Sequence, residues 1–190
     1  VDPRSGQYYV YLETIGGGSG ARATKDGLDG VQVHITNTSN LPVECLEMEY
    51  PLLVEEYGLV PDSGGPGRFR GGLGLSRTIR VLAGEATFLG TLERARVAPW
   101  GLFGGRDGGR GAFVLNAGRG SERALGAKVA GVTLREGDAV TIITPGAGGY
   151  GPSGERDGTL VARDLREEKI STEVARGVYG VDLPAAGAQG

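Results

Sequence analysis

The sequence predicts an α+β protein that is mainly β, with an antiparallel sheet or barrel followed by short C-terminal helices. Three observations carry this. Apolar and polar residues alternate through the middle of the chain, the period of a strand with one buried face. Glycine supplies 37 of the 190 residues, against roughly 7% in an average protein. It follows no three-residue period, so it marks turns, bulges and close backbone approaches rather than collagen. Beyond Gly154 the pattern changes to helical spacing among charges.

Residues 8–14 (Tyr-Tyr-Val-Tyr-Leu-Glu-Thr) are rich in strand formers and end in Gly16-Gly17-Gly18-Ser19-Gly20, which reads as a strand feeding a glycine loop. After a polar loop around Lys25-Asp26-Gly27, Val31, Val33 and Ile35 alternate with Gln32, His34 and Thr36, marking a second strand with His34 on its polar side. Pro42 fits the first turn of a helix, and residues 44–50 form a short one that Pro51 stops. Residues 52–60 read as extended. From Leu73 onward Leu75, Ile79 and Val81 are apolar while Ser76, Thr78 and Arg80 are polar, a period of two that Arg77 breaks. Further strands are expected at 86–92, 112–115 and 132–134. The turn Arg135-Glu136-Gly137-Asp138 joins the last of these to a strand at 140–144. After Gly151-Pro152-Ser153-Gly154, Leu160, Val161 and Leu165 recur at helical spacing within 159–168, and Ser171 is placed to N-cap a second helix through Gly177. No repeat or low-complexity linker divides the chain, so 1–190 reads as one domain: a leading region over 1–60, a β-rich core over 61–150 and C-terminal helices over 151–190.

Composition narrows the function. With 39% hydrophobic and 23% charged residues the chain is a folded domain, long enough to bury roughly 70% of its unfolded surface without a disulfide or metal. Cys45 is the single cysteine. The start, Val1-Asp2-Pro3-Arg4, has no apolar signal-peptide core, so a cytoplasmic address is expected. No apolar run approaches the roughly 20 residues of a membrane span. The net charge of -3, with arginines interleaved among acids as in Arg163-Asp164-Leu165-Arg166-Glu167-Glu168, speaks against nucleic acid.

Several motifs carry possible chemistry. Gly146-Ala147-Gly148-Gly149-Tyr150-Gly151 fits G-x-G-x-x-G, but a dinucleotide loop opens directly into a helix. Here Pro152-Ser153-Gly154 intervene and no βαβ unit precedes, so the motif reads as structural. The loop Gly16-Gly17-Gly18-Ser19-Gly20 reads either as an anion-binding nest of backbone N–H groups or as a plain turn. None of the lysines sits in a P-loop. With one His and one Cys no zinc spacing exists, and no metal site is expected within this chain. His34, beside Thr36, Asn37 and Thr38, suits either an acid–base role or a loop hydrogen bond. In Arg68-Phe69-Arg70-Gly71-Gly72 the arginines suit either an oxyanion or nearby carbonyls.

The segment His34-Ile35-Thr36-Asn37-Thr38, followed by Asn40, Pro42, Val43 and Glu44, resembles the signature of the hydantoinase B/oxoprolinase family. The resemblance continues through Glu13-Thr14-Ile15-Gly16-Gly17-Gly18, Asp62-Ser63-Gly64-Gly65, Gly67-Arg68-Phe69-Arg70-Gly71-Gly72-Leu73-Gly74, Pro99-Trp100-Gly101-Leu102, Thr144-Pro145-Gly146 and Val178-Tyr179-Gly180-Val181. Ile35 stands where Met is usual, Ala147 interrupts a glycine run, and Ser153 stands where an acidic residue is common.

This resemblance implies the C-terminal part of a B-type subunit of an ATP-dependent cyclic amide hydrolase. The A-type partner binds ATP and phosphorylates the substrate carbonyl oxygen, and the B-type part processes the activated species. This chain binds no cofactor, and the ATP and divalent metal belong to the complete enzyme. The further partner is the N-terminal part of the B-type subunit, in a hetero-oligomer. On this reading His34, Asn37 and Arg70 are the catalytic candidates, and Glu13, Gly17, Gly18, Thr36 and Glu44 the substrate-binding ones. Three alternatives stand beside it: a noncatalytic β scaffold or subunit-interface domain, a ketone carboxylase-type subunit of the same family, and a module binding a small anion or sugar through Tyr8, Tyr9 and Tyr11.

Overall fold

The computed structural model describes residues 1–32, 36 and 38–181. Helix α1 (Val43–Glu49) is followed by strands β1 (Leu52–Leu59), β2 (Leu75–Val81), β3 (Glu85–Thr91), β4 (Ala112–Leu115), β5 (Arg123–Leu125), β6 (Lys128–Arg135) and β7 (Ala139–Ile143), then by helices α2 (Gly158–Arg166) and α3 (Thr172–Gly177). The strands form two open antiparallel sheets. One has five strands in the order β1-β2-β7-β4-β5, and the other pairs β3 with β6. Of the sheet and barrel expected, the chain forms the sheet.

The main core gathers Leu46 of α1, Leu52 of β1, Val81 of β2, Leu134 of β6 and Val140 of β7, with Tyr11, Tyr50 and Phe88 packed against them. It thus joins helix, five-stranded sheet and two-stranded sheet in one apolar cluster. In β2 the buried row includes Leu75, Arg77 and Val81. The break in the apolar period is therefore a charged side chain in a core position. On the opposite side of β2, Thr78 and Thr141 sit across from each other and share a 2.9 Å hydrogen bond between hydroxyls.

Glycine explains the middle of the molecule. Segments around 17–30, 63–74, 99–109 and 145–151 are joined backbone to backbone: Gly18 N–H donates to Pro145 O at 3.0 Å, Gly72 N–H to Ser19 O at 2.9 Å, Ala147 N–H to Gly72 O at 2.9 Å and Gly149 N–H to Arg106 O at 3.0 Å. A Cβ on Gly72 would lie 1.9 Å from Leu28 O, and one on Gly146 would lie 1.8 Å from Ser63 O. At these positions no side chain fits, so the chains approach as closely as glycine permits.

The structure corrects several expectations. Residues 8–14 join neither sheet. Of the strand expected around Val31, that residue makes an isolated bridge to Gly17, while Val33, His34 and Ile35 lie outside the described residues. Pro42 precedes α1 as its N-cap instead of entering its first turn. The turn 135–138 joins β6 to β7 as expected, but the two strands belong to different sheets. Strand β5 was not expected. At the C-terminus Asp157 caps α2 through the Thr159 N–H, and Ser171 caps α3 through the Val174 N–H. The two helices bury Val161, Ile170, Ala175 and Tyr179 together.

Candidate functional site

Residues 40 and 41, which follow the signature run, are held on the large sheet from two directions. Glu13 accepts a 2.6 Å hydrogen bond from Arg77 Nη1 of β2, another from the Tyr11 hydroxyl, and a third through its other oxygen from the Leu41 N–H at 3.0 Å. One carboxylate thereby links the leading segment, the sheet and Leu41, the residue before the α1 N-cap. Asn40 donates to the Tyr57 hydroxyl of β1, and the Arg77 guanidinium lies 4.8 Å from the centre of the Tyr57 ring. Gln32 Nε2 donates to Thr14 O at 2.6 Å, and the Thr38 hydroxyl to Thr36 O at 3.0 Å. Burial, followed by the bond to Glu13, pushes the Tyr11 phenol well above its ordinary value. Tyr11 is therefore a neutral donor at any working pH.

The sequence candidates divide into groups. Glu13 is bound to internal partners as above. Gly17 exchanges backbone hydrogen bonds with Val31, and Gly18 packs its Cα on Gly72 O, 2.0 Å from where a Cβ would stand. Both belong to the glycine packing that joins residues 17–30 to 63–74 and 145–151. Thr36 is exposed, as is Glu44 in the first turn of α1. His34 and Asn37 lie outside the described residues.

Arg70 is in a different place. It is 1% exposed, and its guanidinium donates to Asp164 of α2 at 3.2 Å, to Asp29 at 3.0 Å and to Gly71 O at 2.7 Å. The anions it meets are internal carboxylates. Around it Arg156 pairs with Asp26 at 2.7 Å and with Asp164 at 2.6 Å, and Lys169 reaches Asp29 at 3.1 Å. Burial alone would raise the Asp26 carboxyl, but hydrogen bonds and charge from Arg156 and the Arg70 N–H outweigh it and hold the group below the usual carboxylate range. The same balance, with Arg70, the Leu73 N–H and Lys169 as donors, lowers Asp29. Asp26, Asp29, Arg70, Arg163 and Lys169 line a shallow cleft of about 370 Å³. The Arg70 cluster and the Glu13 cluster share no residue.

Sequence reasoning missed Arg77, Tyr57 and Asp164. The signal for Arg77 was its position on the apolar row of β2. Asp164 stands at helical spacing beside Val161 and Leu165, a charge on an apolar stripe. Among the described residues no group of three or more His, Cys, Asp or Glu side chains is arranged to hold a metal ion, and no helix is long and apolar enough to cross a membrane.

The comparisons agree with this architecture. The family model described as Hydantoinase B/oxoprolinase matches residues 1–153. The chain is 42% identical over 144 residues to 5-oxoprolinase 1 of Arabidopsis thaliana, covering 75% of this chain and 11% of that one. It is 30% identical over 201 residues to the caprolactamase subunit beta of Pseudomonas jessenii, covering 98% and 33% respectively. A chain in the crystal structure of the ATP-dependent caprolactamase from that organism superposes with a TM-score of 0.78 at 28% identity, over 91% of this chain and 31% of the other. A nucleotide-free acetone carboxylase shares the fold, with a TM-score of 0.76 at 22% identity over 90% of this chain and 27% of its own. The chain spans about a third of the length of several curated relatives, 31%, 30% and 33%. With that family model matching residues 1–153 of the 190, the chain belongs to the hydantoinase B/oxoprolinase family.

Proposed function

We propose that this chain forms the C-terminal part of the B-type subunit of an ATP-dependent cyclic amide hydrolase, as one wall of the site that processes a substrate phosphorylated by an A-type partner. The observation that carries the reading is the anchoring of the residues that follow 34–37: Glu13, held by Arg77 of β2, accepts from the Leu41 N–H, and Asn40 donates to Tyr57 of β1. A rigid support of this kind suits a site that must place a water or nucleophile against an activated carbon. Names of relatives point the same way, since they include a 5-oxoprolinase and the beta subunit of a caprolactamase.

In this reading His34 transfers a proton during attack by water on the activated carbon, and Asn37 donates a hydrogen bond to the oxygen that carries charge. Thr36 and Glu44, both exposed, face the substrate side, while Gly17 and Gly18 let the backbone beneath it approach. Arg70 acts at one remove, by fixing Gly71 and Gly72 against the segment that bears Gly18. The phosphate donor ATP and a divalent metal belong to the complete enzyme. The described residues do not fit a metal, and no step in this chain is routed through one. The remaining partner is the rest of the B-type subunit, and the whole assembles as a hetero-oligomer in the cytoplasm.

The test is turnover by a complete enzyme carrying His34→Ala. A fall of roughly 100-fold or more is expected for loss of an acid–base group. Unchanged turnover in a folded variant would remove His34 from the chemistry.

A further inference from the structure

Outside the two sheets, three glycine-rich segments meet in a short row. Phe69 and Tyr150 exchange both backbone hydrogen bonds, at 3.0 and 2.9 Å, and Leu102 pairs with the other side of the same stretch, donating to Gly149 O and accepting from the Gly151 N–H at 2.9 Å each. Paired residues carry their side chains on one face, so Phe69, Tyr150 and Leu102 stand side by side. The Phe103 ring lies 5.0 Å from that of Tyr150. Leu102, Phe103 and Trp100 are 48%, 75% and 59% exposed. Glycine packing fixes them there: Trp100 O lies 1.9 Å from where a Cβ on Gly148 would stand, and Gly149 O lies 2.2 Å from a Cβ on Gly105. Phe103 also keeps a left-handed backbone, with φ at 51°, which bulky residues rarely adopt. A loop held this firmly cannot bury its largest side chains by local collapse, and an exposed apolar face of this kind marks an interaction site.

Charge gives the chemistry of what covers it. Between positions 93 and 110 four exposed arginines, Arg94, Arg96, Arg106 and Arg110, outnumber Glu93 and Asp107, and Arg68 adds a fifth, in a chain whose net charge is -3. Among the described residues none of the five joins an ion pair. Two of them lie over rings instead: Arg68 over Phe69 at 5.5 Å and Arg94 over Trp100 at 4.6 Å. Aromatic side chains ringed by arginine are the composition of an interface hot spot.

We infer that the face formed by Phe69, Leu102, Phe103 and Tyr150, with Arg68 and Arg94 at its rim, docks an acidic surface with an apolar centre on the additional polypeptide that B-type subunits carry beyond the region shared with this chain. The inference rests on the proposed reading of the chain as part of such a subunit. Length and charge together select the occupant. The same fold makes up 31% of a caprolactamase chain, so more than half of that chain remains to pack against it. Five unpaired arginines around the apolar row favour carboxylates on the covering surface, which bind guanidinium groups in bidentate fashion.

Hydroxyl-radical footprinting of a full-length B-type subunit containing this sequence tests the inference. Trp100 and Phe103 should be modified at least about tenfold more slowly in the native subunit than in urea, as side chains in the dry centre of an interface are. Left as open as they are here, they would be modified nearly as fast folded as unfolded, and that result overturns the proposal. Arg68→Glu/Arg94→Glu, at two exposed positions, should remove most of the protection, while Arg68→Lys/Arg94→Lys should keep most of it. Protection that survives the charge reversal overturns the acidic partner surface. A photo-crosslinking side chain placed at position 103 identifies the occupant. Crosslinks should fall within the additional polypeptide of the same subunit; crosslinks to the A-type partner, to a second copy or to residues 182–190 overturn the assignment. Failure of the wider functional reading shows separately, as absence of ATP-dependent ring opening by the full-length subunit with its A-type partner.

Discussion

Arg77 and Glu13 stand 64 positions apart in the sequence and meet at 2.6 Å, Arg77 with no solvent exposure and Glu13 with little. Removing one member of a buried pair strands the other charge, at a cost of about 3–5 kcal/mol. Glu13→Ala and Arg77→Met should each lower the urea midpoint accordingly with little change in slope. The double variant Glu13→Leu/Arg77→Met should recover most of the loss. A single-variant cost below about 1 kcal/mol would mean that water reaches the pair.

The glycine packing makes a sharper contrast. Gly72→Ala and Gly146→Ala would drive a methyl to within 2 Å of Leu28 O and Ser63 O, and both should prevent soluble folding or cost more than about 4 kcal/mol. Gly158→Ala opens into free space at the start of α2 and should stabilise by up to about 1 kcal/mol. Thermal melts of the three variants check this.

The cluster around Asp164 should make attachment of the C-terminal helices acid-sensitive. Asp26 and Asp29 are held below the ordinary carboxylate range in the folded chain. Their contribution is therefore complete above the unfolded value of about 3.9 and is lost as pH falls through the depressed folded values. Lys169 is raised: burial would lower it, but Glu167 and Asp29 outweigh burial. Its contribution runs the other way, being lost only as pH climbs beyond about 10.4. Circular dichroism across an acid titration should show helix loss below about pH 4, and Asp26→Asn should lower stability at pH 7 while flattening the acid limb. A variant with the same acid limb as the parent would show that other carboxylates control it.

Much of this fold was legible because local pattern and tertiary environment agree. Strand β4 occupies the expected residues 112–115, and the Ser171 cap begins α3 as its hydroxyl requires. What local pattern could not show was pairing. Residues 8–14 have the composition of a strand, but pairing needs a neighbour, and among the described residues none is beside them. Similarly, the arginine in Phe69-Arg70-Gly71 looks the same in sequence whether its carboxylate belongs to a ligand or to Asp164, 94 positions away. The site was legible only through the signature segment. Its supports, Arg77 and Tyr57, come from strands whose register no short motif encodes.

That this chain forms one wall of a larger site is tested by reconstituting that site. ATP-dependent opening of hydantoin, 5-oxoproline and caprolactam is followed, with phosphate and product both quantified, for the purified chain, for the chain with an A-type partner, and for the chain with that partner and the rest of a B-type subunit. Turnover is expected in the third mixture alone. Turnover by the chain by itself, abolished by His34→Ala, would contradict it.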